Sequence, residues 1–272
     1  MNKPELIQPL LLTAIAGVLM GIAAEPWGLW GLAWVALVPL WVNVLSNFPP
    51  PKPPLLRLGN LGVFKTPLIL ALVWGIGYYG TALFWITGIH PMTWLGVPWL
   101  ASLAITIFCW SFLTLWGSAL VIIWTGLFLI LSDQLAQRFS RISLALTRVL
   151  IATVLWCGLE FLWSSTALWW SSLSYTQSFG NLIILHLGQI SGPTTITATL
   201  LIVNGLMAEG LILNRDKYNS QTPHQKSYLL LILAVLFFVL AHGLGLILYS
   251  TPLQKNPETS IKSRNYSRKY CQ

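Results

Sequence analysis

Apolar residues run through this chain in blocks too long and too continuous for the alternation of a β-strand or for the one-sided stripe of a surface helix. Seven blocks stand out, at residues 6–24, 28–45, 66–87, 98–131, 144–163, 194–213 and 227–249. About 20 apolar residues cross a bilayer as one helix, and only helices or closed barrels satisfy every backbone amide in lipid. Residues 66–132 contain no Asp, Glu, Lys or Arg, and such continuity argues against the dyad repeat of a barrel strand. The predicted fold class is therefore an all-α integral membrane protein, a bundle of about seven transmembrane helices over residues 1–250, with a short tail at 251–272. The 34 residues of block 98–131 predict one long helix that tilts or projects beyond the lipid.

Composition agrees. The 272 residues are 56% hydrophobic and only 8% charged, with a mean hydropathy of +0.71, where a soluble domain carries about a quarter charged residues. The charged start followed by an apolar stretch has the outline of a signal peptide, but "LWGLAWVALVPLWVNVL" follows at once and reads as the second arm of a helical hairpin. Cys109, Cys157 and Cys271 show no CxxC spacing, so neither a disulfide framework nor a metal site is expected.

Basic residues orient the bundle. Lys3, Lys52, Arg57, Lys65, Arg138, Arg141, Arg148, Arg215, Lys217 and Lys226 all fall on one side if the spans alternate, and the opposite loops hold none. Short cytoplasmic loops are enriched in Lys and Arg, so the N-terminus is expected in the cytoplasm. The tail, with Lys255, Lys262, Arg264, Arg268 and Lys269, then falls on the outer side and breaks the rule. The prolines of "NFPPPKPPLLRLGN" predict an extended cytoplasmic spacer. Nothing in the charge pattern points to nucleic acid.

The outer loops, free of basic residues, are rich in aromatic residues, among them Trp27, Trp30, Trp85, Trp94, Trp99, Trp163, Trp169, Trp170 and Tyr175. They form either an interfacial belt or a lipid-facing groove. The groove is favoured by "ALWWSSLSYTQSFGNLIILHLGQISGP", an apolar segment broken by Ser, Gly and Pro, because irregular backbone at membrane depth must be buried in protein or line a cavity. Glu160, inside the fifth span, is expected to face the bundle interior, in a structural or a functional role. Glu209 lies near the inner boundary, from which it is expected to reach the headgroups, and Asn204 is expected to bond across helices. His90, His186 and His242 are scattered, and no phosphate loop, GxSxG elbow or HExxH motif is present.

Several stretches resemble one family. "GIAAEPWGLWGLAWVALVPLW", "GIGYYGTALFWITGI", "VLWCGLEFLW", "LWWSSLSYTQSFGNLIILHLGQISGP" and "IVNGL" are similar, in that order, to the membrane domain of apolipoprotein N-acyltransferases of cyanobacterial type. The resemblance implies an N-in bundle in the plasma (inner) membrane, leading into a periplasmic nitrilase-like domain and a closing span. It also implies ping-pong acyl transfer, in which a Cys thiolate assisted by Lys and Glu takes an acyl chain from a phospholipid donor and passes it to the diacylglyceryl-cysteine of a lipoprotein. No cofactor is implied. Of the family's outer-loop pattern, Gly-Phe-Pro-Trp followed by Leu-Gly-Tyr, Trp170 and Tyr175 match while the Gly, Phe and Pro are replaced. Glu160 matches the acid after the fifth-span Trp, and Asn204 the sixth-span Asn. Trp170, Tyr175 and Glu160 are therefore candidates for the lipid and substrate path, with Asn204 a structural polar residue. No catalytic residue of the family falls within these residues, and Cys271 is not its nucleophile.

In the family "NPETSIK" would lead into a strand resembling Val-Gly-Ile-Ile-Gln-Gly-Asn-Ile. One choice among the codons able to encode residues 263–272, AGT CGG AAT TAT TCA AGG AAA TAT TGC CAA, would spell Val-Gly-Ile-Ile-Gln-Gly-Asn-Ile-Ala one base later. A frameshift after Lys262, leaving a remnant tail on the periplasmic side, is the resulting expectation. The chain is then expected to be a membrane-domain fragment, inactive by itself. The alternatives are a non-catalytic partner of a separately encoded acyltransferase chain, and a small lipid or solute transporter.

Overall fold

The computed structural model describes residues 3–48, 61–136, 138–178, 180–218 and 225–251. The tail at 252–272 and most of the proline-rich spacer lie outside them. Every regular element among the described residues is helical. Among the described residues six helices are long and apolar enough to cross a membrane: α1 (Lys3–Ala23), α3 (Lys65–Ala82), α4 (Trp99–Ala136), α5 (Arg141–Ser164), α8 (Pro193–Tyr218) and α9 (Gln225–Ser250). The shorter α2 (Val38–Ser46), α6 (Leu182–Leu185) and α7 (Gly188–Ser191) complete the set. Helix α4 is unbroken over 38 residues, about 57 Å at 1.5 Å per residue, and so outreaches a hydrocarbon core of about 30 Å.

One expected span is built differently. Residues 28–45 do not form a continuous helix: a 3-10 turn (Trp30–Trp34) and residues 35–37 in turn conformation precede α2. Pro39 sits in the first turn of α2, where its missing N–H does least harm. The break is held open from outside. In an unbroken helix the Leu37 amide would donate to the Ala33 carbonyl. Here Leu37 N–H donates to Asn204 Oδ1 at 3.0 Å, and Asn204 Nδ2 donates to the Ala33 oxygen at 2.9 Å. The Ala36 oxygen accepts from Trp74 Nε1 at 3.0 Å. A side chain inserted into the i→i−4 ladder is a recognised cause of a broken helix.

The helices pack in the succession α1, α3, α4, α5, α8, α9, with α2 seated against α3 and α8. Between α1 and α3 the contact is made by glycines. A Cβ on Gly17 would lie 2.3 Å from the Trp74 carbonyl oxygen, one on Gly21 2.5 Å from Thr81 Cβ, and one on Gly77 2.9 Å from the Val18 nitrogen. Gly17 and Gly21 form a GxxxG pair, which lets two backbones approach closely where apolar burial alone drives no association in lipid. Inside the bundle, Trp41, Trp74, Trp124, Trp156, Tyr78 and Phe128 are fully buried. Trp124 lies parallel to Phe128 at 5.3 Å and meets Trp156 edge-on at 5.2 Å, an arrangement aromatic quadrupoles favour. Thus several tryptophans are core rather than belt, and two of them spend their N–H groups on carbonyls: Trp124 Nε1 donates to Ala152 O at 2.8 Å and Trp74 Nε1 to Ala36 O.

The expectation that Glu209 reaches the headgroups does not hold. Its side chain is 1% exposed, accepting from Trp41 Nε1 at 3.1 Å and pairing with Arg148 at 3.6 Å. Arg148 Nε in turn donates to Ser132 Oγ at 2.5 Å. A carboxylate this deep is tolerated because a cation and an indole N–H replace water.

Candidate functional site

Residues 165–192, between α5 and α8, carry the densest buried polar cluster described at this end of the bundle. Ser171, Ser172, Ser174, Thr176, Gln177 and Asn181 are all buried, in a segment whose longest regular piece is a five-residue 3-10 turn (Leu173–Gln177). Its polar groups are anchored from several elements. Glu160 of α5 holds the start: Oε1 accepts the Leu173 amide at 2.8 Å, and Oε2 accepts Ser172 Oγ at 3.1 Å and Thr197 Oγ1 of α8 at 2.9 Å. Ser172 Oγ also accepts the Ser174 amide at 3.2 Å, which starts the 3-10 turn. Tyr78 and Ser171 share a hydroxyl hydrogen bond at 3.3 Å.

Further on, Gln177 Nε2 donates to the Trp30 carbonyl at 3.1 Å. Asn181 Nδ2 donates to Gln177 Oε1 at 3.1 Å and to His242 Nε2 of α9 at 3.2 Å. His242 Nδ1 faces the Phe238 carbonyl at 2.9 Å, so Nδ1 carries the hydrogen and Nε2 is the acceptor. The segment is thereby tied to α5, α8, α9 and the first hairpin.

Two of its aromatic side chains face the other way, while Leu173, Ile184 and Leu187 join the core. Trp170 and Tyr175 are 52% and 47% exposed, on either side of the buried run 171–174. The Trp170 ring lies 5.8 Å from that of Trp85, in the loop after α3. Phe84, the chain neighbour of Trp85, lies 6.3 Å from Trp27 of the first hairpin. Three outer loops thus meet through exposed aromatic rings, with Ile89, Trp94 and Leu95 also exposed nearby in sequence. Ser102 Oγ fastens the second of these loops, accepting the Met92 amide at 2.9 Å while bonded to His90 Nδ1 at 2.9 Å.

The structure therefore separates the sequence candidates. Trp170 joins an exposed aromatic rim, Tyr175 shares the exposure without that ring contact, Glu160 is buried beneath both, and Asn204 lies in the bundle interior at the helix break. Sequence reasoning did not find Thr197 and Ser172 as partners of Glu160, nor Phe84 and Trp27 as a pair. No short-range pattern links them. Cys157 Sγ donates to the Thr194 carbonyl at 3.9 Å, and no group of three or more His, Cys, Asp or Glu able to hold a metal occurs among the described residues.

Comparison with known proteins fits this architecture. The family model "Apolipoprotein N-acyltransferase N-terminal domain" matches residues 16–206, well over half of the chain. The chain belongs to the apolipoprotein N-acyltransferase family. The match takes in the helix break, the Glu160 cluster and all three outer loops. The apolipoprotein N-acyltransferase of Nostoc sp. is 46% identical over 247 residues, which are 89% of this chain and 43% of that protein. That of Synechocystis sp. is 40% identical over 255 residues, 89% of this chain and 46% of that protein. The more distant apolipoprotein N-acyltransferase of Geobacter metallireducens is 24% identical over 235 residues, 86% of this chain and 39% of that protein. The chain therefore spans less than half the length of these relatives.

Proposed function

We propose that these helices form the membrane-embedded, acyl-lipid-binding part of lipoprotein N-acylation. In that reaction an acyl chain leaves a phospholipid as a thioester on an enzyme Cys and passes to the α-amino group of a diacylglyceryl-cysteine. The observation that carries the reading is the exposed rim formed by Trp170 on Trp85 and Trp27 near Phe84. It holds no basic residue, is dominated by exposed aromatic rings with the exposed Glu25 in its first loop as the one acid beside them, and is built on a polar platform, as suits a surface for acyl chains rather than for anionic headgroups.

The transfer chemistry itself belongs outside these helices. Both oxygens of Glu160 are committed to donors, and the Cys157 thiol is turned to a carbonyl. A nucleophile needs an adjacent base or a neighbouring cation to activate it. Taken alone, the 272 residues bind acyl lipid and do not transfer it; a nitrilase-like part, on the same or a separate chain, supplies the Cys, Lys and Glu. We place the rim on the periplasmic side of the plasma membrane, since all ten basic residues outside the tail fall on the other side of the alternating spans.

Photoactivatable diacyl phospholipid added to the membrane-embedded chain is expected to cross-link within 84–95 and 165–178, with no hydroxylamine-labile acyl group on any of the three cysteines. A thioester on Cys109, Cys157 or Cys271 would overturn the division of labour. Cross-links confined to α9 would overturn the rim.

A further inference from the structure

We infer that Glu160 is a positioning residue: its carboxyl group clamps the outer segment to α5 and α8, so that Trp170 and Tyr175 are held outward at the lipid-facing rim. The inference rests on the rim being the acyl-chain surface.

Three features of the geometry lead there. First, Glu160 is buried, 7% exposed, so it does not touch a substrate in the rim. Second, its partners outside its own helix come from two different elements, Ser172 and Leu173 of the segment and Thr197 of α8, and they are two hydroxyls and one amide. Among the described residues Glu160 forms no ion pair, in contrast to Glu209, which is paired with Arg148. Third, the clamp lies between the two outward side chains in sequence. Fixing the Leu173 amide and the Ser172 hydroxyl turns 171–174 inward, and Trp170 before and Tyr175 after them are exposed.

The donor set makes a sharp distinction. A glutamine fits the same three partners, its oxygen taking the Leu173 N–H and its NH2 donating to the Ser172 and Thr197 hydroxyls, which accept as readily as they donate. An alanine fits none of them. A residue acting by charge or proton transfer would show the opposite, failing as Gln. A residue acting by anchorage is rescued by it.

The test uses the full chain in membranes, with Cys109, Cys157 and Cys271 replaced by Ser and a single reporter cysteine at Thr176, which is fully buried, or at Tyr175, which is exposed. With Glu160 present, Thr176→Cys is expected to react with a membrane-impermeant maleimide about tenfold more slowly than Tyr175→Cys, because local opening must precede labelling. Glu160→Ala should abolish most of that protection, while Glu160→Gln keeps it. Protection unchanged in Glu160→Ala, or lost equally in Glu160→Gln, overturns the clamp. Should Glu160→Ala fail to fold, Thr197→Val and Ser172→Ala each remove one arm and are expected to raise Thr176→Cys labelling about two- to fivefold, a partial loss in keeping with one hydrogen bond among several; no change in either overturns the clamp.

Photolipid cross-linking on the same variants separates the two ideas. Glu160→Ala should lower cross-linking at 165–178, and Glu160→Gln should not. Maleimide protection that follows the clamp in a chain whose rim never cross-links lipid would sink the lipid reading and the positioning role while leaving the clamp itself standing.

Discussion

Asn204 stands where the hydrogen bond between Leu37 and Ala33 would be: its oxygen takes the Leu37 amide at 3.0 Å and its nitrogen reaches the Ala33 carbonyl at 2.9 Å. One amide side chain of α8 thus replaces a rung of another helix, and the chain is opened within the membrane domain without orphaning its backbone. The opening brings Ala36 O to Trp74 and lets the 3-10 turn at Trp30–Trp34 lie beneath the outer segment, where Gln177 finds the Trp30 carbonyl.

Replacing Asn204 by Leu leaves the Leu37 N–H and Ala33 C=O unpaired in a buried place. The chain is expected to lose about 1–3 kcal/mol of stability, the penalty for a buried polar group without a partner. Unfolding in mild detergent, followed by circular dichroism, measures it; an unchanged transition would mean that residues 33–37 close into a regular helix on their own.

Glu209, Arg148 and Trp41 act together. Glu209→Leu leaves the partly buried guanidinium of Arg148 without its carboxylate and should destabilise by about 1–3 kcal/mol, whereas Glu209→Leu with Arg148→Met should cost clearly less than the two single changes added. A double-mutant cycle on thermal unfolding reads the coupling, and additive single effects would show that the pair is not an energetic unit.

Glycine contacts predict opposite signs at two positions. Gly17→Val drives a side chain into the Trp74 carbonyl, which lies 2.3 Å from the site of a Cβ, and should destabilise by about 1–3 kcal/mol as overpacking does. Gly158 of α5 has nothing within 4 Å of such a Cβ, so Gly158→Ala should stabilise by about 0.5–1 kcal/mol through helix propensity alone. Melting of the two variants side by side is the check.

Trp170→Ala and Trp85→Ala are expected to reduce photolipid cross-linking at the rim about two- to tenfold each, with a double variant no worse than the more damaging single. The two rings form one pair, and such pairs contribute about 0.5–1.5 kcal/mol. Because both rings are about half exposed, thermal stability should barely change. Additive losses would indicate two independent lipid contacts.

Much of this could be read before any coordinates, and particular residues show why. The uncharged run of 66–132 carries two membrane helices, α3 and most of α4, and α4 forms as one piece because no proline interrupts it. The Gly17–Gly21 spacing was an available sign of a close helix contact, and Pro39 an available sign of a break. Trp170 and Tyr175 were legible as exposed because an uncharged aromatic loop between two spans has only protein or lipid to face.

Hydropathy therefore determined the all-helical membrane class and the places of the six long helices, since these follow from transfer free energy residue by residue. The partners of polar groups were decided only in three dimensions. Glu209 lies near the end of its span and still turns inward, because Arg148 and Trp41 offer it more than the headgroups do. Likewise, Glu160 and Thr197 are 37 residues apart and Asn204 and Leu37 are 167 apart. In lipid a buried polar group must find its partner within the protein, wherever the packing of helices brings one, and no local spacing records that choice.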